Sequence, residues 1–407
     1  MSDQPLPLFR YVPLADYKAP PWPATENVRR GLRALWRSLG RSTADETPAV
    51  APKTLTRLSG PLLEGVACPQ PNEVLSEALG AALDSRVNPE GGNGPVRVVV
   101  SAAHCSTPAA LHGWASRPGW KIIEPPTMEQ ILAGGEDWLA GLGQLGDTDC
   151  GLPHLERCFL RHAEGLNLVR RLISWLLARE GRCLVGCNDF GWAYLGAALG
   201  VDAVFPPPLT LAPFNAEALA QWFRKLLASG QGGKPVFRNA VNGRLVLPEN
   251  GMTKRSTDDA EKLDEYLTHL AAGSRGIAAV AWAIWRYSLR VSAPADTTDK
   301  ARAKAGEDSR TTIWVKPWAD LELPSPLPQA RQSHRFILHA LLIHGGLTEA
   351  AVDLLVPISG AVLHQSLRVL AAEGLIEQVA GRWQVTPCAY PAVRQSLVNE
   401  EYLVGAL

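Results

Sequence analysis

The chain has 407 residues, more than one hydrophobic core usually organises, so two or three domains are expected. Its forty Lys and Arg balance forty Asp and Glu, which removes the whole-molecule field that draws a protein onto nucleic acid or an acidic membrane and confines such binding to a local patch. An apolar fraction of 46% with 20% charged residues excludes wholesale disorder, while 32 Pro and 36 Gly require many turns and at least one linker.

Residues 1–53 begin with an extended segment that the cluster Pro20-Pro21-Trp22-Pro23 keeps from propagating helix. This start carries Pro and charge where a signal peptide needs an unbroken apolar stretch. From Asn27 to Leu39, residues Val28, Leu32, Leu35, Trp36 and Leu39 fall at helical spacing, with Arg29, Arg30, Arg33 and Arg37 on the other side. That pattern is a basic amphipathic helix, either packed on its own domain or docked on an acidic partner or membrane surface. A linker follows to residue 53.

Residues 54–214 alternate helix and strand. A helical pattern over 72–83 and a Gly-rich turn precede the β-branched run Val96 to Val100, a buried strand. After the loop, Pro108 suits the first helical position and Ser106 or Thr107 the cap of a helix through Trp114. A strand at 121–124, a helix from Thr127, a long helix over 155–178, a strand at 182–187 and a helix over 190–199 complete the pattern. Such alternation implies an α/β fold with a mainly parallel sheet flanked by helices.

Beyond Pro206-Pro207-Pro208 the patterns are helical at 215–227, 258–272 and 277–289, giving a helical lid over 215–291. Its longest apolar run, Ile277 to Trp285, is about half of the ~20 residues a transmembrane helix needs. Residues 292–328 read as a linker, polar as far as Ser309, with Trp314 to Trp318 as an aromatic docking candidate. Helices at 334–343, 348–355 and 359–373, strands at 375–377 and 383–385, and a turn at Ala380-Gly381 make 329–407 a winged-helix domain.

This order of strand, loop, helix, second strand, long helix, strand ending in Asn, helical lid and winged helix resembles P-loop ATPases of the AAA+ and STAND kind. In such a family the loop after the first strand supplies Gly amides and a Lys to the phosphates and a hydroxyl to magnesium. Here it reads Ser101-Ala102-Ala103-His104-Cys105-Ser106-Thr107-Pro108, without Gly or Lys. The acidic pair that should end a buried strand is replaced by Pro153 and His154, with Glu156 further along and expected inside the helix. What the resemblance leaves as nucleotide-binding positions are the hydroxyls of Ser106 and Thr107, Asn188 at the γ-phosphate sensor place, and Arg275 as a second-sensor arginine opening a lid helix.

The resemblance therefore implies a pseudo-ATPase: no catalytic residue, no metal ligand, no required cofactor, and ATP or ADP as an alternative ligand. It would be a cytoplasmic scaffold, accessory or regulatory subunit acting on another protein, either an active ATPase or a membrane-associated partner. Two alternatives are a nucleotide switch without efficient turnover and a winged-helix DNA-binding regulator. The last meets the charge of residues 329–407, where Glu and Asp outnumber Arg, and a third helix offering only His364, Gln365, Ser366 and Arg368 as readers. Two further chemistries are a zinc site of Cys150, His154, Cys158 and His162, disfavoured because steps of four drift around a helix, and a reactive Cys105 thiol activated by His104. The odd, irregularly spaced set of seven Cys points to a reducing compartment.

Overall fold

The computed structural model describes residues 8–23, 50, 54–58, 60–68, 72–84, 95–229, 235–247, 264–292, 311–327 and 331–407. The basic helix at 27–39, nearly all of the linker 41–53 and the polar stretch 293–309 lie outside the described residues.

In chain order the strands are β1 (Tyr11–Pro13), β2 (Leu55–Arg57), β3 (Val96–Ser101), β4 (Trp120–Ile122), β5 (Asp149–Leu152), β6 (Cys183–Asn188), β7 (Leu209–Leu211), β8 (Val236–Asn239), β9 (Leu289–Ser292), β10 (Thr312–Val315), β11 (Ile376–Val379) and β12 (Arg382–Val385). Two compact units contain them: residues 1–18, 71–212 and 323–407 form the first, residues 19–70 and 213–322 the second.

The first unit holds a six-stranded sheet in the order β1-β7-β3-β6-β5-β4. β3 pairs in parallel with β6 and β7, and β5 in parallel with β6 and β4, while β1 alone runs antiparallel, against β7. Val98, Val99 and Val100 of β3 and Leu184 and Val185 of β6 are buried on both faces, the continuous apolar run expected of a central parallel strand. Helices Thr107–Ala115, Asn167–Ala178 and Asp189–Leu199 lie in the same unit. The chain is a mixed α/β protein with a mainly parallel sheet and a winged helix at its end.

The winged helix comprises helices Gln332–Ile343, Glu349–Leu355 and Gly360–Ala372, the β11–β12 hairpin and helix Tyr390–Asn399. It belongs to the same compact unit as the parallel sheet.

The second unit corrects the reading of a purely helical lid followed by a linker. β8 lies within the expected lid and β10 within the expected linker, and both join a four-stranded sheet in the order β2-β9-β10-β8. These strands have three or four residues each and come from distant segments, so no single window shows their alternation. Trp318, named above as part of a docking candidate, packs internally against Trp22 and Tyr266, with ring centroids 5.8 and 6.4 Å away.

The long helix expected over 155–178 is also corrected: a 3₁₀ turn covers Leu155–Arg157 and the helix begins at Asn167. Cys158, Phe159 and Leu160 are all buried in succession, which no single helix face permits. Among the described residues no single helix is long and apolar enough to cross a membrane.

Candidate functional site

In an open parallel sheet the ligand crevice lies outside the carboxyl ends of the strands, where the chain departs in opposite directions from neighbouring strands. Here that place is the end of β3 and β6, flanked by the turn after β5. A cavity of about 420 Å³ occupies it, lined among others by Ser101, His104, Ser106, Glu156, Asn188 and Gly345.

The loop after β3 turns through a hydrogen bond from Cys105 N to Ala102 O and puts His104 at φ 63, a left-handed conformation in a residue with a side chain. The His104 ring meets Tyr390 edge-on, with centroids 6.0 Å apart, and its Nε2 is buried without a hydrogen-bond partner. Burial lowers its pKa to about 4. Ser106 stands at the N-cap of helix Thr107–Ala115 and Pro108 in its first turn, but neither candidate hydroxyl caps it. Thr107 is 1% exposed and its Oγ1 lies 3.0 Å from the Cys105 sulfur, so that hydroxyl is turned into the protein. Burial pushes the Cys105 thiol up, against smaller hydrogen-bonding contributions from Thr107 and Ser106. The activated thiol considered above is therefore overturned: the imidazole beside it is neutral and the thiolate is disfavoured.

After β5, the Pro153 carbonyl crosses β6 so closely that a Cβ at Gly186 would stand 2.5 Å from its oxygen. That approach requires glycine at 186. It also carries Glu156 into the crevice, contrary to its expected place on a helix. Glu156 is 4% exposed; one carboxylate oxygen is 2.8 Å from His154 Nδ1 and the other accepts from the Asn188 amide at 3.3 Å.

Asn188 ends β6 and caps helix Asp189–Leu199. Its Oδ1 accepts from Gly191 N at 2.6 Å, and its Nδ2 donates to Ile343 O at 3.1 Å. The second partner is the last residue of the first winged-helix helix. That helix stops in two left-handed glycines, Gly345 and Gly346 at φ 59 and 99, a helix end that glycine allows at no steric cost. A Cβ at Gly345 would lie 3.2 Å from Asn188 Nδ2.

Two buried histidines continue the junction. His344 Nδ1 is 3.2 Å from Glu156 O, while its Nε2 accepts from Arg161 N at 3.4 Å. A carbonyl on one side and an amide donor on the other fix a neutral ring protonated at Nδ1, consistent with a pKa lowered by burial to about 3. His339 is neutral by the same logic. Its Nε2 donates to Leu403 O at 2.7 Å, its Nδ1 accepts from Arg161 Nη1 at 3.0 Å, and burial lowers its pKa to about 4. Asp189, fully buried beside this junction, has its pKa raised by burial to about 7 despite Arg394.

Of the four nucleotide-binding positions expected above, Ser106 and Asn188 line the cavity, and Thr107 is buried and not part of its lining. Arg275 belongs to the second unit. It does not open a helix. It closes helix Tyr266–Gly273 in a left-handed conformation, φ 59, with its amide donated to Ala272 O, and Ile277 is the cap of the next helix. Glu156 was considered as an acid and misplaced on the long helix, while His344 and Gly345 are site residues that the sequence did not single out; the triplet His344-Gly345-Gly346, a helix-stop signal, was the available clue.

No protein-family model matches the chain, and no curated protein matches it. Solved structures do. A crystal structure of Cdc6p from Pyrobaculum aerophilum is similar at TM-score 0.32 and 11% identity, over 82% of this chain and 96% of that one. The ORC2 protein of Aeropyrum pernix, in ADPNP and ADP complexes, is similar at TM-score 0.36 and 12% identity, over 82% and 94%. Likenesses at such TM-scores carry no weight for function, and the fold described above rests on this chain's own strand order and register.

Among the described residues no group of three or more His, Cys, Asp or Glu could hold a metal ion. The four zinc candidates are not gathered: Cys150 lies in β5, with its sulfur 3.2 Å from Cys183, and Cys158 follows the 3₁₀ turn.

Proposed function

We propose that this chain is a P-loop ATPase-like protein that does not hydrolyse nucleotide and serves as a scaffold or accessory subunit through protein contacts. The observation that carries the reading is the commitment of Asn188. Both ends of its amide are engaged, one on the helix cap and one on the winged helix, so the side chain is held in a fixed orientation by the protein and a γ-phosphate sensor keeps at most the second N–H of Nδ2.

The electrostatics of the crevice agree. Phosphoryl transfer depends on cations and amide dipoles placed where charge develops. Against the N-termini of helices Thr107–Ala115 and Asp189–Leu199, this crevice receives the carbonyl end of helix Gln332–Ile343, a negative dipole end, together with the buried Glu156 carboxylate. Arg157 lines the cavity, and the nearby Arg382 guanidinium donates to Gly346 O.

The winged helix supports a protein partner better than DNA. Ser366 is buried, His364 is 3.2 Å from Glu349, and the exposed face of helix Gly360–Ala372 carries Val362 and Val369 beside Arg368. One cation on a reading helix gives little of the phosphate attraction that drives DNA binding. The expected result is that the full chain releases phosphate from magnesium-ATP no faster than buffer, followed by a coupled phosphate assay. Sustained turnover abolished by Asn188→Ala would replace the scaffold by an active ATPase.

A further inference from the structure

A pair of thiols lies near the opposite ends of β5 and β6. Cys150 and Cys183 are register partners in parallel strands β5 and β6. Adjacent strands stand about 4.8 Å apart, within the Cα separations that disulfides span. Their sulfurs face the same side of the sheet at 3.2 Å, and both residues are buried.

A cation adjoins the pair. Arg179 is 7% exposed, donates through Nε to Gly181 O, and its charge favours the thiolate at both cysteines. The hydrogen bond between the two sulfurs holds the Cys150 thiol below its usual value, with Arg179 assisting against burial. Burial pushes the Cys158 and Cys187 thiols well up, and Cys183 is raised as well, by its hydrogen bond with Cys150 and by burial, so Cys150 is the thiol of the pair that is held low.

Only the three-residue edge strand β4 separates β5 from the end of the sheet, and short edge elements open at low free-energy cost. The neighbouring Asp149–Arg182 pair is largely solvent-facing on the arginine side.

We propose that Cys150 and Cys183 form a redox-responsive dithiol, oxidised by hydrogen peroxide to a disulfide that staples β5 to β6. The Cys150 thiolate attacks one peroxide oxygen, the O–O bond breaks, and the released hydroxide takes a proton to leave as water. The Cys183 sulfur then attacks the resulting sulfenic sulfur; the S–S bond forms and the second oxygen leaves as water with the Cys183 proton. Two thiols lose two electrons to the peroxide. The staple would join the strands that carry Glu156 and Asn188 into the crevice.

The test treats the folded full chain with hydrogen peroxide, blocks remaining thiols by alkylation, and maps peptides without reduction by mass spectrometry. A cross-linked peptide containing Cys150 and Cys183, lacking the two thiol hydrogens and separated by dithiothreitol, is expected. Cys183→Ser should abolish the cross-link and leave a Cys150 sulfenic acid that dimedone traps. The unsubstituted map decides the matter even where that variant fails to fold. Recovery of both cysteines as alkylated thiols, or separately as sulfonic acids, at a dose that oxidises the half-buried Cys68 and Cys388 would overturn the proposal.

Discussion

Asn188→Ala is expected to destabilise the first unit by about 3 kcal/mol, from loss of a helix cap worth about 1 kcal/mol and from leaving the buried Ile343 carbonyl unpaired. The side chain is 8% exposed, and its partners, Gly191 N and Ile343 O, are buried with it, so water cannot readily replace the amide. Asn188→Ser separates the two effects. Its hydroxyl can still cap Gly191 but is too short to reach Ile343, so about half the loss should return. Urea unfolding with an unchanged m-value is the readout. Equal stability in all three proteins would mean that Asn188 does not tie the sheet to the winged helix.

The second large effect is acid sensitivity. His104, His339 and His344 have folded pKa values lowered to about 4, 4 and 3, below the unfolded value of about 6.5. Between these limits the unfolded chain binds more protons, so stability falls as pH falls from about 6.5 toward 4. Asp189 acts in the opposite sense. Its folded pKa is raised to about 7, so its contribution is fullest below the unfolded value and is lost as pH rises through the folded one. Three histidines against one carboxyl leave roughly two protons in favour of the unfolded chain, or about 2 kcal/mol lost per pH unit between about pH 6 and 5. Urea midpoints across this range measure it. A flat profile would contradict the neutral, buried imidazoles that the hydrogen bonds of His339 and His344 imply.

The parallel core was legible because β3 and β6 carry consecutive β-branched or apolar residues, and because Pro108 marks a helix start. The winged helix was legible from three amphipathic segments before a Gly turn. β7 and β1 were not: Leu209-Thr210-Leu211 has three residues and pairs with Tyr11–Pro13 across nearly two hundred positions. The second sheet escaped for the same reason, its register being set by tertiary pairing and not by local period.

The site was half visible. Missing Gly and Lys in the loop, and Pro153-His154 where acids were expected, are statements about composition at known places. The engagement of Asn188 by Ile343 depends on where residues 155 positions apart meet, and no spacing predicts that. Arg275 shows the reverse case. Its place before an apolar helical run suggested a function, whereas the backbone uses it to end the preceding helix.

The most direct test of the committed crevice is calorimetric titration of the purified full chain with ATP and with ADP, each with magnesium. The account predicts no binding heat at millimolar nucleotide. Saturable, magnesium-dependent heat that is lost in Asn188→Ala, with that variant still folded, would contradict it and make the chain a nucleotide-binding switch.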